Sequence, residues 1–306
     1  MIWPKSNFLY NLSLIDKYIK SFFLKSDKIE KNFLIFSSAR SSIYNILKCF
    51  NFNRDHIVAV GPYTNECIYN SVGAISNPVL SKFIKKKPDV QLIYHQSGYE
   101  VTSKLKSFTI EDSADSYIAS KKSLFPNNGN FEIISIPKIS NFNFGSIVFC
   151  QNLFYLNKLK KFQLKQTKNF LFNINLFMTL IHLNIFDFKS NSKYLIKSVP
   201  ESLVDIIFLV YQLTKNYHKD IQNKISEIIK YVYIIPDKNR LPNSLLLKID
   251  ISRFHLLKKK FPFLYLRHFN ISRDFCLWNL KKFIFLPIHQ DISLDNIVQL
   301  KKYLDE

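Results

Sequence analysis

Arginine is scarce in a chain that is otherwise strongly basic. Lysine and arginine number 43 against 23 aspartates and glutamates, a formal net charge of +20, and the excess is almost all lysine. Arginine is the better reader of phosphates and bases, so this charge is not the signature of a specific nucleic-acid binder. Lysine alongside abundant Asn, Ile, Phe and Tyr is what an AT-rich genome produces. The four cysteines (Cys49, Cys67, Cys150, Cys276) are far apart, with no CxxC and no nearby histidine, which argues against disulfides and a zinc site and for reduced thiols in the cytoplasm. No metal is expected. The opening MIWPKSNFLYNLSLI lacks a basic region and a small-residue cleavage site, so no signal peptide is expected. The most apolar stretch, Phe170 to Phe188, is broken by Asn173, Asn175, Thr179, His182, Asn184 and Asp187. That makes a membrane span costly and points to a buried or interface helix. Glycine occurs only 5 times, so each is expected where the backbone requires it.

What is present is a globular pattern. Hydrophobic residues make up 47% of 306 residues, enough for a large domain with its own core and a smaller second one. Short apolar runs alternate with helical stretches in the first half. Strands are expected at Asn32–Phe36, His56–Val60, Val90–His95, Ser107–Asp112, Phe131–Ile136 and Gly145–Cys150. Helices are expected at Ala39–Phe50, where Ile43, Ile46, Leu47 and Phe50 share a face, at Asn65–Ile75, and near Glu100–Lys106. Strands between helices imply a mostly parallel sheet covered on both faces. From about Gln151 the strand rhythm stops. Pro236, Pro242 and Pro262 punctuate a later α+β segment ending in an amphipathic helix, Leu294–Leu304. The division expected is a large α/β domain over residues 1–200 and a small α+β domain over 201–306.

Ligands of a parallel sheet sit at the carboxyl ends of its strands. There the sequence places Ser37, Ser38, Ala39, Arg40 and Ser41 at the opening of a helix, Tyr63 and Thr64 after the second strand, His95 and Gly98 after the third, Asp112 after the fourth, and Ser135 and Lys138 after the fifth. Singly, each has a plainer explanation. Ser at a helix start is usually a cap, a lone lysine is usually solvated, and His95 is more often a structural residue than a catalyst. Together they amount to a phosphate-type turn, a carboxylate and a lysine at one sheet edge. Pyridoxal phosphate (PLP) needs that set: a cradle for its phosphate, an amine for a Schiff base and a carboxylate that keeps its pyridine nitrogen protonated.

Six segments in order resemble the DegT-type (DegT/DnrJ/StrS) sugar aminotransferases, which are fold-type I PLP-dependent enzymes. SSARSSIYNIL resembles the family's SGRAALxxxL, and HIVAVGPYTNECIYNSVGAISNPV resembles DEVIVPxYTxxxxxxAVxxxGxxPV. YHQSGYE resembles HxxG, and IEDSAD resembles IEDxAH. SIPKISNFNFGSIVF resembles a short form of the SxxK segment with its GG turn, and LPIHQDISLDNIVQLKKYL resembles the closing LPxHxxLSxxDxxxIxxxL. The resemblance covers Phe33 to Cys150 and about the last 20 residues.

The resemblance implies a PLP domain, a small C-terminal domain and a homodimer that shares its active sites. It also implies amino transfer to a keto-sugar nucleotide in surface polysaccharide or lipopolysaccharide synthesis, with glutamate as the usual donor. By position, Lys138 matches the Schiff-base lysine and Asp112 the pyridine partner. Arg40 and Ser41 match the phosphate-binding pair, with Ser135 beside them. Asp115 stands where the family has His or Gln near the phenolic oxygen, and Asn65 where an aromatic stacks on the ring. These two departures support a second reading, a divergent member with altered or lost activity acting in binding or scaffolding. A third, a nucleic-acid binder, has only the charge behind it.

Overall fold

The computed structural model describes residues 32–61, 64–103, 107–119, 121–142, 144–165, 201–270 and 280–306. Tyr63, the Phe170–Phe188 stretch, Lys104–Lys106, Cys276 and the opening segment lie outside the described residues. In chain order the elements are β1 (Phe33–Phe36), α1 (Ala39–Cys49), β2 (Ile57–Val60), α2 (Glu66–Gly73), β3 (Asn77–Leu80), β4 (Val90–Tyr94), β5 (Phe108–Asp112), β6 (Ser116–Ile118), β7 (Phe131–Ser135), α3 (Ile136–Ile139), β8 (Ser146–Cys150) and α4 (Leu153–Leu164). Then follow α5 (Glu201–Thr214), α6 (His218–Ile228), β9 (Arg240–Pro242), β10 (Ser244–Leu246), α7 (Phe254–Lys260), β11 (Tyr265–Asn270), β12 (Leu280–Pro287) and α8 (Leu294–Asp305).

Seven strands form one sheet in the order β1-β8-β7-β5-β4-β2-β3. Neighbours from β7 to β3 pair in parallel, while β8 is antiparallel to both β7 and β1. One strand therefore runs against six, the expected mostly parallel α/β sheet. The strands are apolar on both faces because both are covered. Leu34, Phe36, Val58, Val60, Val90 and Leu92 join Ile43, Ile46 and Leu47 of α1 and Leu156 and Leu159 of α4 in one buried cluster. The alternate residues Phe33, Ile35, Ile134, Ile147 and Phe149 face the other way, onto Ile207, Val210 and Tyr211 of α5. That second cluster continues into α6, the three-stranded sheet β10-β12-β11 and α8.

Two local expectations are corrected. Glu100–Ser103 is not helical. Its backbone donors go to side chains of other loops: Val101 N–H to His95 Nδ1 (3.0 Å) and Ser103 N–H to Asn127 Oδ1 (2.7 Å). The strand β3 was not expected, because Pro78 cannot donate to a ladder. It sits at the sheet's edge, where a proline is tolerated. The short pair β6–β9 also joins the two halves of the chain, with Ser116 opposite Pro242 and Ile118 opposite Arg240.

Candidate active site

The carboxyl ends of the parallel strands, with the start of reversed β8, meet at one edge, and backbone hydrogen bonds stitch their loops together. Gly145 N–H donates to the Ser37 carbonyl (3.2 Å), and Gly145 O accepts from Ile136 N–H (3.1 Å). The hydroxyls of Ser42 and Ser146 are 2.6 Å apart. These contacts hold the turn before α1, the start of β8 and the turn of α3 as neighbours. Gly145 adopts φ +98°, open to glycine and rare for other residues. The turn that carries Arg40 is therefore at the same edge as the turn that carries Lys138.

At the first turn, Ser38 caps α1 by accepting from Ser41 N–H (3.2 Å). The Ala39 and Arg40 amides lie in the first turn, where a helix has no internal acceptors and its dipole favours an anion. Ser41 is buried and its hydroxyl accepts from Asn45 Nδ2 (3.2 Å), so Ser38 and Arg40 are the more accessible side chains there. Ser135 ends β7 beside Ser146, and Lys138 follows in α3, a single turn with Pro137 near its start.

Asp112 ends β5 and is buried. Its Oδ1 accepts from Ala114 N–H (3.1 Å), while its buried Oδ2 has no hydrogen-bond partner. Burial pushes its pKa up to about 6 against the pull of Lys138. Three residues on, Asp115 behaves oppositely. Burial acts to raise its pKa too, but Lys138 and Arg267 outweigh it and the carboxyl stays below the usual range. Asp115 Oδ1 lies 2.9 Å from Lys138 Nζ. Its Oδ2 accepts from Tyr94 Oη (2.5 Å) and from Ser97 N–H (3.3 Å). Burial opposes the charge on Lys138, yet Asp115, Tyr94 and Asp112 together raise its pKa above the ordinary lysine value.

Several of these residues escaped the sequence reading. Arg267 reaches over from β11: Nη1 donates to Ser97 Oγ (3.0 Å), and Nη2 to Asn65 Oδ1 (2.9 Å) and Tyr94 Oη (3.3 Å). Asn65, just before α2, thus faces a guanidinium. Asn243, between β9 and β10, donates its backbone N–H to Asp115 O (3.0 Å) and its Nδ2 to Lys138 O (3.3 Å). The signal for Arg267 was its rarity, an arginine in a lysine-rich chain. Nothing local marks Tyr94 or Asn243.

His95 follows β4 at this edge, its backbone N–H donating to Asp112 O (2.9 Å). It is fully buried, its Nδ1 accepts from Val101 N–H, and its Nε2 therefore donates to Glu111 Oε2 (3.0 Å). Glu111 also takes the Gly129 amide (2.8 Å). Both ring nitrogens are used in joining loops. Gly98, in the HxxG segment, has φ +90°. A Cβ there would lie inside contact distance of Pro242 Cα and 2.7 Å from Asp115 O.

The site offers an amine, a buried carboxylate with an unmatched oxygen, and a helix start, all at one edge. PLP fits it: Asp112 Oδ2 is an unmatched acceptor for a pyridinium N–H, Lys138 supplies an amine, and the first turn of α1 suits a phosphate. A family model described as a PLP-dependent aminotransferase matches residues 15–302. The chain belongs to that family. Its cofactor is pyridoxal phosphate and its activity is transamination.

Solved structures agree on the fold of this aminotransferase. TlmJ, an aminotransferase from Streptoalloteichus hindustanus, superposes with TM-score 0.65 at 9% identity, covering 100% of this chain and 98% of that one. PseC from Helicobacter pylori, an aminotransferase involved in the biosynthesis of pseudoaminic acid, gives 0.60 at 13% identity over 99% and 97%. A DegT DnrJ EryC1 StrS aminotransferase from Brucella abortus gives 0.59 at 9% identity over 95% and 90%. The DegT-type resemblance read from the motifs thus has its counterpart in the fold. No curated protein is matched by sequence. Among the described residues no helix is long and apolar enough to cross a membrane, and no His, Cys, Asp and Glu cluster has the makings of a metal site.

Proposed function

We propose that this aminotransferase transfers an amino group from an amino acid, with glutamate the usual donor in DegT-type enzymes, to a keto-sugar carried on a nucleotide, in the assembly of a surface polysaccharide or lipopolysaccharide. The observation that carries the reading is the gathering of Lys138, Asp112 and the first turn of α1 at one sheet edge. The sugar substrate is supported by the motif resemblance and by the likeness in fold to Spr1654 from Streptococcus pneumoniae, which is described as a sugar aminotransferase.

Bound PLP supplies an electron sink for negative charge that develops at the substrate α-carbon. The chain's own residues do the rest. The Ala39 and Arg40 amides, with Ser38 and the Arg40 side chain, would hold the phosphate. Asp112 Oδ2 would accept a hydrogen bond from the protonated ring nitrogen, fixing the ring's orientation and keeping its proton in place. Lys138 Nζ would hold the cofactor, and as a free amine it would move a proton at the substrate α-carbon. Asn243 limits the movement of Lys138 relative to Asp115 by holding both backbones.

The working unit is proposed to be a cytoplasmic homodimer, each copy with a large domain over 1–200 and a small one over 201–306. Cys49, Cys67 and Cys150 are unpaired, as suits a reducing compartment. The direct test is amino transfer from glutamate to a panel of nucleotide-linked keto-sugars. Formation of an amino sugar supports the reading. Transfer only to small keto acids overturns the sugar assignment while leaving the aminotransferase intact.

A further inference from the structure

A PLP site needs one carboxylate, for the ring nitrogen, yet this one has two. Asp112 is placed for that role. Asp115 is not, since its Oδ1 is 2.9 Å from Lys138 Nζ. The contact is built rather than incidental. Tyr94 Oη and Ser97 N–H both bind Oδ2, which leaves Oδ1 turned to the lysine. Asn243 holds the two backbones together, taking Asp115 O with its amide and Lys138 O with its side chain. The carboxyl is fully buried, where a charge acts over its neighbours more strongly than in water.

We propose that Asp115 holds a proton on Lys138 Nζ after that nitrogen has condensed with the cofactor's aldehyde, and that Arg267 limits the strength of this hold. The proposal rests on the reading of Lys138 as the cofactor-bearing lysine. The condensation conserves charge: the ammonium of Lys138 and the aldehyde form a protonated C=N bond and release one water. One proton remains on Nζ, so the pairing with Asp115 carries over from the free to the loaded protein.

The groups that set the field at Nζ come from three elements. Tyr94 ends β4, Asp112 and Asp115 lie at the end of β5 and in the turn after it, and Tyr265 and Arg267 come from β11. Tyr94 and Tyr265 are neutral at working pH, because burial raises both phenols. Asp115 is ionised, its carboxyl held low despite burial by Lys138 and Arg267. It is therefore the negative group in direct contact with Nζ. Arg267 is the opposing charge, anchored by Ser97 and Asn65 beside Asp115. Its positive charge offsets part of Asp115's hold on the Nζ proton.

The test is a spectrophotometric pH titration of the protein loaded with pyridoxal phosphate. The protonated Lys138–cofactor bond absorbs in the visible and the deprotonated form in the near ultraviolet. Asp115→Asn should lower the midpoint by roughly one to three pH units, the effect of one opposite charge at close range. Asp115→Glu should stay nearer the parent. Arg267→Gln should raise the midpoint. An Asp115→Asn midpoint equal to or above the parent's overturns the proposal. Should Asp115→Asn fail to fold or load, Arg267→Gln decides, and a midpoint that does not rise overturns it. A parent protein with no cofactor band and no reducible bond at Lys138 would overturn the site reading beneath it, an outcome distinct from an unmoved midpoint.

Discussion

Asp112 and Asp115 are both buried and three residues apart, yet their carboxyls are pushed in opposite directions. Burial raises Asp112 to about 6, whereas contact with Lys138 and closeness to Arg267 overcome burial at Asp115 and keep it low. Two carboxylates whose environments separate their pKa values have separate tasks. Asp112, with an unmatched oxygen, waits for a proton donor; Asp115 already has its cation.

The strain at Asp112 has a cost in the cofactor-free protein. An acid raised in the folded state keeps its proton longer there than in the unfolded chain. Stability therefore falls as pH rises from the ordinary aspartate value of 3.8 to about 6. Above that window the whole penalty is present, on the order of 3 kcal/mol at roughly 1.4 kcal/mol per unit. Asp112→Asn should remove it: the variant's cofactor-free form should melt higher than the parent at pH 7, with the two converging below about pH 4. Its affinity for PLP should drop sharply. A variant that melts lower at pH 7, measured without cofactor, would contradict the assigned environment.

Gly98 couples the site to the C-terminal half. Its positive φ and the closeness of Pro242 and Asp115 leave no room for a side chain. Gly98→Ala should destabilise by about 2–3 kcal/mol and disturb cofactor binding as well, since the backbone it displaces carries Asp115. A variant with unchanged thermal midpoint and unchanged PLP affinity would show that the close approach is not real.

The pair Arg240–Glu132 (2.7 Å) is buried and spans from β9 to β7, and Arg240 also donates to Ser113 Oγ (2.7 Å) beside Asp112. Removing one partner leaves an unmatched buried charge. Arg240→Met should therefore cost about 3–5 kcal/mol. The double variant Arg240→Met, Glu132→Gln should recover a good part of that. Denaturant unfolding of the three proteins checks it, and equal losses in single and double variants would argue against the pair.

The features legible in the sequence were those that follow from chain order. Lys138, Asp112 and the Ser37–Ser41 turn each sit just after a short apolar run, so a parallel sheet brings them to one edge. The helix Ala39–Phe50 was legible from Ile43, Ile46 and Leu47 on one face, and it ends one residue earlier, at Cys49. What was not legible depends on distant partners. Arg267 contacts Asn65 from 202 residues away, and no pattern around either residue announces it. Tyr94 read as one more apolar strand residue, although its hydroxyl binds Asp115. The helix expected near Glu100–Lys106 failed over its described part because Val101 and Ser103 give their amides to His95 and Asn127, side chains that local propensity does not include.

The central claim is that Lys138 is the lysine that bears the cofactor, and its most direct test is chemical. The protein, loaded with pyridoxal phosphate, is reduced with borohydride, digested and mapped. The account predicts a stable pyridoxyl group on Lys138 and a loss of visible absorbance on reduction. A pyridoxyl group on another lysine, or none on a protein that has bound PLP, would contradict it.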